Sequence, residues 1–237
     1  MSQDGIVVEA FHELAPRYED TVDQELREYW GLSYTQFVDR MVTLASIQKG
    51  EQVLDLATGT AAIPRRLVDR VGQGGRVVGL DITPAMLKRG RESIEESGSS
   101  APISLVCASA MEIPFPDASF DVILCGLGTH HMHVPQLLFE VRRVLKPNGR
   151  TVMIDVGASA FWRSFLGAIV LRVLLVRYGL SRRDARARAE VEAFRNVRTA
   201  TEWKTLLSEL GFSRIEVAES RALRPWYPSA MTMSAVL

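Results

Sequence analysis

"VLDLATGTA", Val53 to Ala61, starts as an apolar strand and passes beyond Asp55 into small residues with a single glycine, Gly59. Small residues between a strand and a helix let the backbone pass close to a ligand, and amides at the helix start can meet a carboxylate or phosphate. The same stretch is also consistent with a tight strand-to-helix turn, because one glycine makes only a degenerate nucleotide-binding motif. Asp81 decides between the two. It ends a second apolar run, "RVVGLD", where a carboxylate can accept both hydroxyls of a ribose. A plain capping role for Asp81 is the weaker alternative, since Thr83 stands in the N-cap place ahead of Pro84.

Outward from this pair, short apolar runs bounded by Gly, Pro or Asp alternate with stretches long enough for one helix each. The runs are "QVLDLA", "RVVGLD", "ISLVCA", "FDVILCG" and, after "VPQLLFEVRRVL" and the turn "KPNG", "RTVMIDV". "SRIEVAES" and "SAMTMSAVL" add two final strands. This predicts an α/β protein with a doubly wound, Rossmann-like, seven-stranded and mostly parallel sheet. Residues 6 to 46 read as helical, residues 158 to 198 as two helical stretches, and "TATEWKTLLSELGF" as an amphipathic helix closed by Gly211.

The chain has 237 residues with 28 basic and 28 acidic side chains, so no net field draws it to nucleic acid or an anionic surface. A small-molecule partner is expected, without nucleic acid. Cys107 and Cys125 each close an apolar strand, which is cysteine used as a small hydrophobe in a reducing compartment, and a cytoplasmic location is expected. "FWRSFLGAIVLRVLLVRYGL", from Phe161, is interrupted by Arg163, Arg172 and Arg177, which argues against stable membrane insertion. Its apolar face suits a substrate role, core packing or a homodimer contact. "SRRDARARAE" includes Asp184 and Glu190 and lacks aromatics, so it reads as a solvated helix face.

In a doubly wound sheet, ligands settle beyond the carboxyl ends of the strands at the switch point. "CASAMEIPFPDASFDVILC" places Ser109, Ala110 and Met111 there, with Pro114 and Pro116 forcing an extended path onward. Past the fourth strand lie His130, His131 and His133, three of the four histidines. Histidine suits a base that takes a proton from a hydroxyl or enolisable carbon, and His130 and His131 are the leading candidates. The plain alternative is that they cap the next helix or line the core. No metal is expected, because adjacent histidines without a nearby Cys or Glu set match no usual ligand spacing.

The series "VLDLATGT", "GLDITPAMLKRGR", "MEIPFPDASFDVI" and "RVLKPNG" resembles, in order and spacing, the class I S-adenosylmethionine-dependent methyltransferases, most of all the branch that methylates ubiquinone and menaquinone rings. "FHELAPRYED" is similar to that branch's N-terminal helix. The resemblance implies that S-adenosylmethionine is the cofactor, leaving as S-adenosylhomocysteine. It implies that Asp55, Ala57, Thr58, Gly59 and Thr60 hold the methionine part, Asp81 the ribose, Ile82 and Met86 the adenine face, and Ser109, Ala110 and Met111 the adenine edge. Cys125 and Gly126 would face the sulfonium end and Tyr18 would close over the cofactor. It also implies a single domain: a helical lid over 1–46, a cofactor-binding core over 47–157, a substrate-covering insertion over 158–211 and closing strands over 212–237. Phe11, Tyr18, Trp30 and Tyr34 could roof an apolar pocket for a hydrophobic or aromatic acceptor.

This chain departs from the family at three points. Alanines flank Gly59 where glycines are usual, Ser109 replaces an Asp, and "GLGTHHMH" replaces an Arg-Asn pair of the quinone enzymes. Two rival readings follow: a protein of this fold that binds the cofactor but catalyses a non-methylating reaction, and an NAD-dependent oxidoreductase, whose loop Ala57-x-Gly59-x-x-Ala62 loosely mimics.

Overall fold

The computed structural model describes residues 3–97, 103–158, 169, 173, 185–194 and 196–237. Three helices, α1 (Gln3–Leu14), α2 (Tyr18–Trp30) and α3 (Tyr34–Ala45), precede the first strand. The alternating part runs β1 (Gln52–Leu56), α4 (Ala62–Val71), β2 (Arg76–Asp81), α5 (Pro84–Glu96), β3 (Ile103–Cys107), β4 (Phe120–Gly126), α6 (Val134–Val144) and β5 (Leu145–Gly157). Then come α7 (Ala185–Ala193), α8 (Ala200–Glu209), β6 (Ser213–Ser220) and β7 (Ser229–Val236).

The seven strands form one sheet in the order β3-β2-β1-β4-β5-β7-β6. β1 pairs in parallel with both β2 and β4, and the chain reverses its direction of travel across the sheet at that point. Only β7 is antiparallel to its neighbours. The central strands are apolar throughout because helices cover both faces, and Val53, Leu54, Val78 and Ile123 are fully buried. One core cluster gathers α6 and α8 against the sheet, and the other gathers α2, α3 and α4.

Local chemistry explains the element ends. Ser33 and Gln36 form a reciprocal capping box at α3, as do Thr199 and Glu202 at α8. Gly211, at φ +81°, closes α8 as expected: its N–H donates to the Ser208 carbonyl and that of Phe212 to the Leu207 carbonyl. At α5 the expectation needs correction. Thr83 occupies the N-cap position ahead of Pro84, but its side chain does not cap the helix, and Asp81 instead accepts the Thr83 N–H at 2.8 Å. The "KPNG" turn is drawn into β5, with the Asn148 N–H donating to the Leu237 carbonyl.

The Arg-rich stretch also differs from its reading as a solvated face. In α7, Ala185 and Ala189 are buried with Ala10 of α1, Arg186 pairs with Glu25 and Arg188 with Glu9. Alanine's small side chain lets two helices approach closely, so one face of α7 is interior. The apolar helix expected over 161–180 falls outside the described residues except for Ile169 and Val173, which are helical and exposed. Among the described residues, no helix is long and apolar enough to cross a membrane.

Candidate active site

The carboxyl ends of β1, β2 and β4 open onto a largely apolar cavity. Its wall includes Tyr18, Ala57, Gly59, Asp81, Ile82, Met86, Ser109, Ala110, Met111 and His131, all expected from the sequence. Asp4, Val7 and Phe11 of α1 close one side, and Leu127, Gly128, Met132 and His133 complete the β4 side.

Asp81 ties the site together. One carboxylate oxygen accepts the Thr83 N–H and the other accepts the Gly59 N–H at 2.9 Å, so β2 holds the loop that follows β1. A carboxylate has about four lone-pair sites, so Asp81 retains acceptor capacity toward the cavity, as a vicinal diol requires. Gly59, at φ +56°, runs against Met86 and Tyr18: a Cβ built there would lie 3.0 Å from the Met86 methyl. Ala57 and Ala61 hold similar left-handed conformations, at φ +52° and +60°. A Cβ on Gly128 would come within 2.7 Å of that of Ala57, so the β1 and β4 loops meet closely beneath the cavity.

Asp55 lies one layer back. Its Oδ2 accepts the Thr58 hydroxyl at 2.7 Å, while Oδ1 is buried with no hydrogen-bond partner among the described residues. Burial, helped by the charge of Asp81, pushes its pKa up to about 7 against the Thr58 hydrogen bond. Thr60 donates to Glu19 at 2.7 Å, which docks the loop on α2. Thr58, Thr60, Cys125 and Gly126 therefore stand behind the cavity wall rather than in it, and the β4 contribution falls on the next two residues. Ser109 turns its hydroxyl oxygen inward to accept the Met111 N–H at 3.2 Å. Trp30 and Tyr34 pack in the core beside α3, and of the expected aromatic roof Phe11 and Tyr18 reach the cavity.

The histidines form a 3₁₀ turn, Thr129–His131, at the far end. Asp155, near the end of β5, organises it: Oδ1 lies 2.6 Å from His130 Nδ1, and Oδ2 accepts the Thr129 hydroxyl at 2.5 Å and the His130 N–H at 3.0 Å. This pairing leaves Nε2 of His130 as the nitrogen available to other groups. Burial alone would lower the His130 pKa, but the Asp155 charge and hydrogen bond raise it above the ordinary value. His131 is held well below it, by burial and by His130. Burial would raise Asp155, yet His130 and the hydrogen-bond donors hold it below the usual carboxylate range. Phe11 meets His131 edge-on at 5.2 Å, and His133 accepts the Gln136 N–H as the α6 cap. Asp155 escaped the sequence reading. Its signal was an acid near the end of an otherwise apolar strand, the position Asp81 holds in β2.

A sheet that reverses direction at β1, with a carboxylate beyond β2 and an apolar cavity at the switch point, is the fold of the class I S-adenosylmethionine-dependent methyltransferases, and the family of this chain makes it one of them. The chain belongs to the ubiE/COQ5 methyltransferase family, whose model matches residues 2–165. It is 30% identical over 216 residues to the ubiquinone/menaquinone biosynthesis C-methyltransferase UbiE of Pseudomonas paraeruginosa, covering 88% of this chain and 82% of that one. It is 42% identical over 113 residues to the demethylmenaquinone methyltransferase of Listeria welshimeri, spanning about half of each chain (47% and 48%).

Among solved structures, the sheet and helices match a SAM-dependent methyltransferase from Aquifex aeolicus at a TM-score of 0.62, with 18% identity over 93% of this chain and 97% of that one. They also match the [4+2]-cyclase SpnF at 0.65, with 14% identity over 96% of each. At these identities the likeness is one of fold. Family membership supports methyl transfer, not the oxidoreductase or the non-methylating alternative.

Proposed function

We propose that this enzyme methylates carbon or oxygen of a small, largely apolar aromatic molecule bearing a hydroxyl, with His130 and His131 meeting the acceptor's polar atom. The observation that carries this reading is the apolar cavity, walled by Val7, Phe11, Leu127 and Met132, ending at a histidine pair anchored on a buried aspartate. The residues fit the cofactor. Asp81 offers paired acceptors for the ribose, Met86 and Ile82 an apolar face for the adenine, and buried Asp55 a carboxyl poised to ionise near pH 7 when a cationic amino group lies above it. S-adenosylmethionine, when bound, supplies an electrophilic methyl on a positively charged sulfur.

The chain's own task is then to position and to exclude water. α1 closes the cavity, which supports the reading of residues 1–46 as a lid. Tyr18, whose phenol burial raises well above its ordinary pKa, stays neutral beside the cofactor. The relatives' names point to carbon methylation of quinone rings. Free thiols at Cys107 and Cys125 support a cytoplasmic setting.

Calorimetry with S-adenosylhomocysteine tests the first half: the wild type binds and Asp81→Ala does not, and absence of heat with the wild type overturns the reading. Transfer of labelled methyl to a panel of hydroxylated aromatics, including demethylated quinone rings, tests the second. His130→Gln is expected to lower turnover at least about tenfold while S-adenosylhomocysteine still binds.

A further inference from the structure

The histidine turn has a third neighbour that lies far along the chain. Glu190, on α7, brings a carboxylate oxygen within 4.8 Å of an imidazole nitrogen of His130 and of one of His131, and those two nitrogens lie equally close together. Ligand atoms about 2.1 Å from a tetrahedral ion stand roughly 3.4 Å apart, so separations of up to 4.8 Å must close by up to about 1.4 Å. The Glu190 side chain is half-buried. Arg186 lies 3.7 Å from it and makes contacts of 2.6 and 2.8 Å with Glu25.

Two further observations favour a metal. The hydrogen bond from Asp155 to His130 Nδ1 is the outer-shell arrangement that fixes the tautomer and direction of a metal-ligating histidine. Asp155 and Glu190 together carry the two negative charges that balance a divalent ion. Two imidazoles with one carboxylate select ions of the zinc, cobalt or ferrous type over magnesium or calcium, which take all-oxygen shells. His131 lines the cavity, so a position left open on the ion faces the acceptor space.

We propose that His130, His131 and Glu190, oriented by Asp155, bind one divalent transition-metal ion whose open position receives the acceptor's hydroxyl oxygen. The hydroxyl coordinates as the acceptor enters, before the cavity closes, and gives its proton to bulk water; the O–H electron pair stays on the oxygen, which makes the acceptor a nucleophile. This catalytic part rests on the methyltransferase reading; the binding of metal does not.

Titration of chelator-treated protein with Co²⁺, followed by visible absorption, tests the site. The expected result is a saturable ligand-field spectrum at one ion per chain that Zn²⁺ displaces. Affinity should be lost in His131→Ala, and should fall about 10–100-fold in Asp155→Asn. Glu190→Gln should also weaken binding, and because it is a conservative change in a half-buried side chain, thermal melting can verify that it folds. No stoichiometric spectrum, or a spectrum unchanged in both Glu190→Gln and His131→Ala, overturns the proposal. Calorimetry with S-adenosylhomocysteine on the same samples separates the two readings. Cofactor binding without Co²⁺ binding overturns the metal site alone, and Co²⁺ binding without cofactor binding overturns the methyltransferase reading alone.

Discussion

Ala57 and Ala61 hold backbone conformations that glycine reaches without steric cost, whereas a left-handed L-residue costs about 1–2 kcal/mol. Ala57 is half-buried, so Ala57→Gly relieves strain while losing little packing, and the greater freedom of unfolded glycine offsets about half of the gain. The melting temperature should rise by about 2–4 °C, and a fall in calorimetric scans would refute strain at this residue. Ala61 is fully buried, and loss of its methyl, worth about 0.8 kcal/mol, should make Ala61→Gly nearly neutral. Asp55 introduces a pH dependence. In the folded protein it keeps its proton up to about pH 7, and the unfolded chain releases it near 3.8. The folded state therefore binds more protons between those values, and stability falls as pH rises through that window. Denaturant midpoints should drop more for the wild type than for Asp55→Asn between about pH 5 and about pH 8; equal drops would show that Asp55 ionises normally.

At the level of elements, the loop after β3 is held by α6. Arg143 donates to both Glu140 carboxylate oxygens and to the carbonyls of Ile113 and Phe115, while Glu140 accepts the Ile113 N–H. Arg143→Ala leaves a buried carboxylate without its cation, at a cost of about 3 kcal/mol. The loop that carries Ala110 and Met111 then loosens, so KM for the cofactor should rise more than kcat falls. Steady-state kinetics at a temperature where the variant stays folded would check this, and an unchanged KM would show that the loop needs no clamp. Thr199→Ala removes the α8 capping box and should cost about 1 kcal/mol by chemical denaturation, with cofactor affinity unchanged.

For the molecule as a whole, α1 closes the cavity from one side while packing on α7 and α5, and if it serves as a lid, cofactor binding orders it. Saturation with S-adenosylhomocysteine at a hundred times its Kd should stabilise the fold by about 2.7 kcal/mol. Hydrogen exchange should slow across α1 as well as in the loops after β1 and β2, and protection confined to those loops would show that α1 does not serve as a lid. The sheet was legible from the chain because a strand covered on both faces needs a short, mainly apolar run, as in β1, β2 and β4, and the two final strands alternate as a partly exposed sheet edge does. The cofactor loops were legible because Asp55, Gly59, Asp81 and Met111 sit at strand ends, where a parallel sheet must present its ligand. The interior face of α7 was not legible, since alternating Arg and Ala reads as solvated until a partner helix lies against the alanines. Which neighbours the histidines have was not legible either. Local sequence alone determined the sheet, the switch point and the place of Asp81 at the end of β2, because those follow from periodicity and strand ends. Only the tertiary structure set Asp155 under His130 and Glu190 beside both histidines, because β5 and α7 reach that end of the cavity through packing that no short stretch of sequence encodes.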